Sequence, residues 1–285
     1  MPVHEPSAAD LAGAGSCRVF RARRTSSFFP SLRSLPFVLN CLLMSANQPP
    51  PLQVVAMHGW GRDARTWEPW QNATDSRGWL WHTGERGYGA LPPRVSAWPG
   101  PGTAGCRLVI GRSLGPHMIP ANVLAQADAV VLLASFATFV PPGREGRRLR
   151  AALTGMAASL EDEVRAREML GNFTAKVAEP QSADLLPLGP LDGPLDEANR
   201  ARLRQDLDLL AGCHNLPDGF PLGARVLIVE AGSDRIVEPQ ARTMLRAALP
   251  AAEVRTLPGI GHALLSDGVM ANVIDWVESW RDAED

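Results

Sequence analysis

From residue 53 onwards, the chain alternates short apolar stretches with stretches of helical character. The strand-like stretches occupy residues 53–57, 79–82, 107–110, 129–134, 225–230 and 253–257. Predicted helices occupy residues 65–73, 197–211, 239–248 and 267–281. Such alternation is typical of a mostly parallel sheet that is covered by helices on both faces.

The alternation is interrupted at residues 136–222. This part opens with Pro141-Pro142-Gly143, continues with helix-rich stretches such as residues 149–170, and passes through a proline-rich segment at 180–194. We therefore predict an α/β fold with a mostly parallel, helix-flanked sheet and a helical cap insertion. Its core comprises residues 51–135 and 223–285, and residues 136–222 form the cap.

Residues 1–50 differ from the rest because they lack sustained periodicity. An apolar stretch at residues 35–44 is too short to span a bilayer. Five arginines precede it, as in a signal or transit sequence, although the basic region is long for a signal peptide. A disordered tail and a true translation start at Met44 are the other interpretations, and we favour the start at Met44.

Composition limits the classes of function. The chain has 285 residues, 45% of them hydrophobic, which is enough for one sizeable core. A formal net charge of −2 gives no global basic field for nucleic acid, and nothing predicts a membrane partner. Four dispersed cysteines have no metal-ligand spacing, so we expect reduced thiols, no metal, no cofactor and a cytoplasmic location.

The chemistry is predicted by Gly111-Arg112-Ser113-Leu114-Gly115, which directly follows an apolar strand. In a nucleophile elbow, a serine lies on a strained turn between a strand and a helix, and the flanking small residues let the backbone reverse. An ordinary tight turn is the alternative interpretation. The neighbouring motifs decide between the two.

A serine hydroxyl needs a base, usually a histidine that is oriented by a carboxylate. On such a fold the order along the chain is serine, acid, histidine. Asp234 follows the strand at 225–230, and His262 follows the strand at 253–257. We therefore predict Ser113 as the nucleophile, His262 as the general base and acid, and Asp234 as the orienting carboxylate.

The tetrahedral intermediate also needs hydrogen-bond donors for its oxyanion. The backbone N–H of Leu114, the residue after the nucleophile, is one candidate. The second candidate is the N–H of Trp60 in His58-Gly59-Trp60-Gly61, a loop that follows the first strand.

These motifs resemble those of α/β-hydrolase-fold serine hydrolases over residues 53 to 282. More narrowly, His58-Gly59-Trp60-Gly61, Ser113-Leu114-Gly115 and Glu85-Arg86-Gly87-Tyr88-Gly89 are similar to motifs of the pimeloyl-acyl-carrier-protein methyl ester esterases of biotin synthesis. The resemblance implies cleavage of a methyl ester from a carrier-bound dicarboxylate. It also implies a cap that binds the acidic carrier through basic residues.

The segment after the serine departs from the family pattern. Pro116 suits the first turn of a helix, whereas Pro120 falls inside the expected helix. We therefore predict that the helix behind the elbow is short or bent.

The cap offers candidates for substrate binding. Five apolar residues could line an acyl channel, although such side chains at helical spacing are also typical of a core: Met156, Leu160, Met169, Leu170 and Phe173. Trp60 could border the same pocket. Arg147 and Arg148 belong to the densest basic stretch of the cap, which could steer an acyl carrier protein or be a solvated face.

The predicted function is that of a serine carboxylesterase acting on a carrier-linked or small acyl methyl ester, as in biotin precursor synthesis. The same three side chains also serve thioesterases, C–C hydrolases and some lyases. A non-catalytic member of the fold that binds an acyl ligand or a protein is a further alternative.

Overall fold

The computed structural model describes residues 51–99 and 105–281. The interpretations of residues 1–50 lie outside these ranges. Six strands form one sheet in the order β2-β1-β3-β4-β5-β6, and every adjacent pair is parallel. The strands are β1 (Gln53–Met57), β2 (Leu80–Thr83), β3 (Arg107–Arg112), β4 (Ala129–Leu133), β5 (Arg225–Ala231) and β6 (Glu253–Leu257).

Helices connect the parallel strands, as such a sheet requires. They are α1 (Glu68–Thr74), α2 (Ala121–Leu124), α3 (Arg144–Ser159), α4 (Glu163–Ala178), α5 (Glu197–Gly212), α6 (Pro239–Ala248) and α7 (Asp267–Arg281). The predicted parallel sheet with flanking helices is confirmed. The predicted helix at residues 65–73 is instead a 3₁₀ turn, Ala64–Trp67, followed by α1, which contains Pro69 in its first turn.

The central strands are buried on both faces. Alternate residues of β1 contribute to two different apolar clusters, with Val54 and Ala56 in one and Val55 and Met57 in the other. The first cluster includes the α7 tryptophans Trp276 and Trp280, and the second includes residues of α2 and α6. This double burial explains the continuous apolar runs that identify the strands in the sequence.

Three helices, α3, α4 and α5, lie between β4 and β5. They form a third apolar cluster with Trp60, Tyr88 and Leu114, three residues of the core loops. We call residues 136–222 the helical insertion. Among the described helices, none combines the length and the apolar character that crossing a bilayer requires.

Candidate active site

Ser113 lies at the carboxyl end of β3 in a left-handed backbone conformation, with φ of 53°. A residue with a side chain adopts this region at a cost of about 1–2 kcal/mol. Two hydrogen bonds hold it there: Ser113 N–H donates to the Leu133 carbonyl (2.9 Å), and the Ser135 hydroxyl donates to the Ser113 carbonyl (2.7 Å). The predicted strained turn is present.

The glycines on either side of Ser113 are required by close packing. A Cβ on Gly111 would lie 2.4 Å from Cγ of Pro116, and a Cβ on Gly115 would lie 2.3 Å from the Met57 carbonyl oxygen. The chain then forms only a 3₁₀ turn, Gly115–Met118, before Pro120 caps the four-residue helix α2. The short helix that the two prolines predict is therefore present.

His262 and Asp234 lie at the ends of two adjacent strands, β6 and β5. Nδ1 of His262 is 2.9 Å from Oδ2 of Asp234, and both side chains are buried. The other carboxylate oxygen, Oδ1, accepts hydrogen bonds from the backbone N–H groups of Ile236 (2.7 Å) and Val237 (3.0 Å). These two bonds fix the carboxylate, which in turn fixes the imidazole.

The charge of Asp234 is stabilised by its surroundings. Burial alone would raise its pKa, but the His262 imidazole and the two backbone N–H groups outweigh burial and hold the pKa below its ordinary value. The carboxylate is therefore ionised near neutral pH, as an orienting partner for a histidine must be.

Ser113 and His262 line the same small cavity, which has a volume of about 20 Å³. Both are buried, with 8% and 5% of their surfaces accessible. The structure thus brings together the three side chains that the sequence places 121 and 28 residues apart.

The His58–Gly61 loop closely approaches the serine, since a Cβ on Gly59 would lie 3.1 Å from Cβ of Ser113. Within the described residues, the backbone N–H groups of Trp60 and Leu114 make no hydrogen bond. Two unpaired backbone donors next to a serine hydroxyl are what an oxyanion hole requires.

No model of a known protein family matches the chain, and no curated protein matches it significantly. Solved structures do match it. An esterase from Exiguobacterium antarcticum superposes with a TM-score of 0.60 at 15% identity, covering 81% of this chain and 93% of the esterase. A bromoperoxidase from Bacillus anthracis gives 0.58 at 16% identity, covering 84% and 94%. An enol-lactonase from Burkholderia xenovorans gives 0.57 at 14% identity, covering 82% and 93%.

The chain has the α/β-hydrolase fold. The three neighbours carry three different activity names, so the fold alone does not assign the reaction. The reaction depends on the residues of the site.

A cavity of about 560 Å³ opens beside Ser113. Of the five cap residues predicted to line an acyl channel, three line this cavity: Met156, Met169 and Phe173. The prediction was wrong for Leu160 and Leu170, whose side chains are buried in the apolar cluster of the insertion instead.

Trp60 lines both cavities. Its Nε1 donates to the Leu203 carbonyl of α5 (2.8 Å), and its ring contacts Phe173 edge-on at 4.9 Å between centroids. The side chain is therefore held by the insertion while the backbone belongs to a core loop.

The basic stretch of the insertion lies apart from these cavities. Arg147 and Arg148 are exposed on α3 and line neither the large nor the small cavity. Arg147 and Arg148 are therefore not placed to contact a small substrate in the large cavity. A role of these two residues at the protein surface remains a prediction.

A buried polar cluster joins the insertion to the loop after β2. Asp206 of α5 accepts two hydrogen bonds from Arg86 (2.6 and 2.7 Å) and one from the Tyr88 hydroxyl (2.5 Å). Burial and the Asp206 charge raise the pKa of Tyr88, so its hydroxyl remains a donor. The sequence did not indicate Asp206, because its partners lie about 120 residues away.

Two further arginines, Arg62 and Arg112, line the small cavity together with Ser113 and His262. The sequence analysis missed both. The chain has 27 arginines and one lysine, so an arginine by itself is a weak sign of function. The sequence feature that could have identified them is their position next to predicted site motifs: Arg112 directly precedes Ser113, and Arg62 directly follows the His58–Gly61 loop.

Proposed function

We propose that the chain is a serine hydrolase that cleaves carboxylic esters. The observation that carries this proposal is the buried pair of His262 and Asp234, of which His262 lines the same small cavity as Ser113 in its left-handed turn. A fixed imidazole beside a strained serine is the arrangement that activates a hydroxyl for attack on a carbonyl.

The reaction proceeds in two steps. The Ser113 hydroxyl adds to the ester carbonyl while Nε2 of His262 takes its proton; the intermediate then collapses, and the leaving alkoxide takes that proton as an alcohol. Water next attacks the acyl-serine with the same imidazole as base, which releases the acid and restores Ser113. Asp234 keeps Nδ1 protonated and stabilises the imidazolium.

The negative charge that develops on the carbonyl oxygen would be bound by the Trp60 and Leu114 N–H groups. Their lack of other hydrogen-bond partners in the described ranges supports this role. Such donors each contribute about 3 kcal/mol of transition-state stabilisation in comparable sites.

Replacement of the nucleophile tests the proposal directly. Ser113→Ala should lower turnover of a p-nitrophenyl ester by roughly a million-fold and abolish labelling by a fluorophosphonate probe. Ser279→Ala, on α7 and distant from the site, is the matched control and should keep both signals. Unchanged turnover by a folded Ser113→Ala variant would refute the assignment, and absence of labelling in the wild type would favour a non-catalytic role.

For the acyl substrate we propose a carrier-linked or small acyl ester, and the sequence resemblance favours a methyl ester, as in biotin precursor synthesis. The apolar lining of the large cavity supports an aliphatic acyl chain. The protein should restore growth of a biotin auxotroph that lacks its methyl esterase. Failure by a soluble protein that still labels at Ser113 would count against this pathway but not against ester hydrolysis.

We further propose Arg147 and Arg148 as a contact for an acidic acyl carrier protein, since both are exposed on α3. Charge reversal of both residues should then raise KM for a carrier-bound ester and leave KM for a free ester unchanged. An equal change for the two substrates would exclude carrier recruitment by this surface.

A further inference from the structure

Ser113 lies where two cavities of different character meet. The large cavity contains Ser113 but not His262. Ten of its 18 lining residues are apolar, and the charged ones have both signs: Arg165, Glu168, Lys176, Arg235 and Glu238. The small cavity contains Ser113, His262, Arg62 and Arg112. A substrate that is attacked by Ser113 therefore has one side in a large, mostly apolar cavity with charges of both signs, and the other side against two cations without an acidic residue in the lining.

Neither arginine has a carboxylate within ion-pair distance in the described part of the chain. Arg62 is 9% exposed, and the only hydrogen bond of its side chain in the described ranges goes to the Pro187 carbonyl (2.5 Å). Arg112 donates to the Ala263 carbonyl (3.0 Å), packs against the Trp67 ring and leaves its Nε without a partner.

The acidic residues near Arg62 are engaged elsewhere. Asp63 makes its ion pair with Arg65 at 2.6 Å, and Asp192 accepts a hydrogen bond from the Gly189 N–H at 2.6 Å. Among the described residues, the one charge that shifts the pKa of Arg112 is that of Arg62. Two like charges therefore lie close together beside the candidate nucleophile.

Two like charges, one on the buried Arg62 and one on the partly buried Arg112, are costly without a counter-ion. Burial, together with the Arg62 charge, lowers the pKa of Arg112 to about 10, so the guanidinium is still charged near neutral pH. Buried charges are normally paired, because carbonyl oxygens and a ring face replace only part of the lost hydration. An anionic group in the small cavity would supply the missing counter-charge, and guanidinium groups bind carboxylates through paired hydrogen bonds.

We propose that Arg62 and Arg112 bind a carboxylate on the leaving-group side of the substrate, so that the enzyme cleaves esters between an apolar acid and a small hydroxy acid. This inference rests on the proposed ester hydrolysis. The small cavity, at about 20 Å³, admits only a compact group. The large cavity, at about 560 Å³, holds the apolar acyl chain.

The position of His262 assigns the carboxylate to the leaving group. His262 gives its proton to the oxygen that leaves, so whatever that oxygen carries lies on the His262 side. His262 and both arginines line the small cavity, and Arg112 is bonded to Ala263, the residue after His262. The resemblance to methyl esterases predicts a methyl group at this place, so the two substrates can be compared directly.

Matched esters test the proposal. Carboxymethyl hexanoate and carbamoylmethyl hexanoate have the same acyl chain and leaving groups of nearly the same size, but only the first is charged. We expect kcat/KM of the wild type to favour the charged ester by about ten-fold or more, since hydrogen bonds between charged groups are strong. Equal values for the two esters would overturn the proposal.

Variants in which one arginine is replaced by a neutral residue show which side chains cause the preference for the charged ester. Arg62→Gln and Arg112→Gln should each bring the ratio of the two kcat/KM values close to that of the uncatalysed reaction. Arg144→Gln, an exposed position at the start of α3, is the matched control and should keep the wild-type ratio. Should Arg112→Gln fail to fold, Arg112→Lys preserves the charge and should retain part of the preference. Variants that keep the full preference would contradict the assignment.

A separate pair of esters tests whether the bound carboxylate belongs to the leaving group or to the acyl part of the substrate. A preference for monomethyl succinate over methyl succinamate, which places the charge on the acyl part, would overturn the assignment to the leaving group. A thermal-shift titration with glycolate, with glycolamide as the neutral control, measures binding without catalysis: glycolate should raise Tm of the wild type and not that of Arg112→Gln. If p-nitrophenyl hexanoate is not hydrolysed, ester hydrolysis fails, and this titration still decides whether the cavity binds an anion.

Discussion

The core turns and the helical insertion contribute to the site in different ways. Ser113, Asp234 and His262 each lie at or shortly after the carboxyl end of a strand. The backbone of Ser113 is bonded to the sheet and that of Asp234 to its own turn, whereas the turn of His262 is also bonded to Val177 and Gln181 of the insertion. The insertion contributes no member of the candidate triad. It supplies the apolar wall of the large cavity and contacts that hold the core loops, such as Asp206.

The core turns and the insertion therefore have separate tasks, which are catalysis and substrate selection. Groups that must be placed accurately lie on rigid strand ends, whereas groups that select the substrate lie on helices that can change with little effect on the sheet. Changes in the core turns should therefore impair every ester, and changes in the insertion should impair some esters more than others.

The largest loss in this comparison is expected for the imidazole. His262→Ala removes the base, and because the triad acts as a unit, kcat for a p-nitrophenyl ester should fall by roughly a million-fold. His82→Ala, on the edge strand β2, is the control and should keep the wild-type rate. A loss of less than about a hundred-fold, below what a general acid–base group typically contributes, would show that His262 is not the base.

The second largest effect is expected for the orienting carboxylate. Asp234→Asn should lower kcat by about ten-thousand-fold, because the amide favours the wrong tautomer of His262. The folded pKa of Asp234 is lowered, so its ionised form stabilises the protein above its ordinary value of 3.8, and this stability is lost as the pH falls through the lowered folded value. Denaturant unfolding of wild type and Asp234→Asn should thus differ at pH 7 and converge in acid; a constant difference would contradict the lowered pKa.

A change in the insertion should have a smaller effect. Asp206→Asn leaves Arg86 without its carboxylate and weakens the bond to Tyr88, and it should destabilise the protein by about 2 kcal/mol, since Arg86 is partly exposed. We expect kcat to fall by about ten-fold even at temperatures well below Tm, because the loop after β2, which Asp206 holds in place, lies beside His58. Asp208→Asn, exposed on the same helix, should change neither quantity.

The smallest and most selective effect is expected in the wall of the large cavity. Phe173→Ala enlarges the space beside Ser113 and removes the contact with the Trp60 ring. KM for a short acyl ester should rise by a few-fold, on the order of one lost apolar contact, while KM for a longer chain changes less. Val164→Ala, an exposed position on the same helix, is the control. The same fold change for all chain lengths would argue against an acyl-binding wall.

Much of the core was predictable because its signals are local. The bounds of β1, α6 and α7 agree with the apolar patterns, since each pattern reports burial of that segment against the sheet or a helix. The bounds of β6 also agree, although this edge strand has no fully buried residue. The short helix after Ser113 was predictable from Pro116 and Pro120 alone, because proline acts on the backbone of its own turn. The prediction of a helix at residues 65–73 was less accurate, because sequence patterns do not separate a 3₁₀ turn from the first turn of an α-helix.

The contacts of the insertion could not be predicted in this way. Helical spacing showed that Leu160, Leu170 and Met169 share an apolar environment, but not which of them faces a cavity and which faces other helices. Asp206 looked like any polar residue of an amphipathic helix until the fold placed Arg86 and Tyr88 against it. Such pairings depend on how helices pack against the core, and no local pattern encodes that packing.

Three features could be predicted from the sequence alone: the alternating strands and helices, the strained turn at Ser113, and the order of serine, acid and histidine. Each of these features depends on residues that are neighbours along the chain. Only the tertiary structure decided that His262 meets Asp234, that two cavities meet at Ser113, and that Arg62 and Arg112 face one of them without a counter-ion. Charge and burial act through space, and Arg62 and Arg112 are separated by 50 positions in the chain.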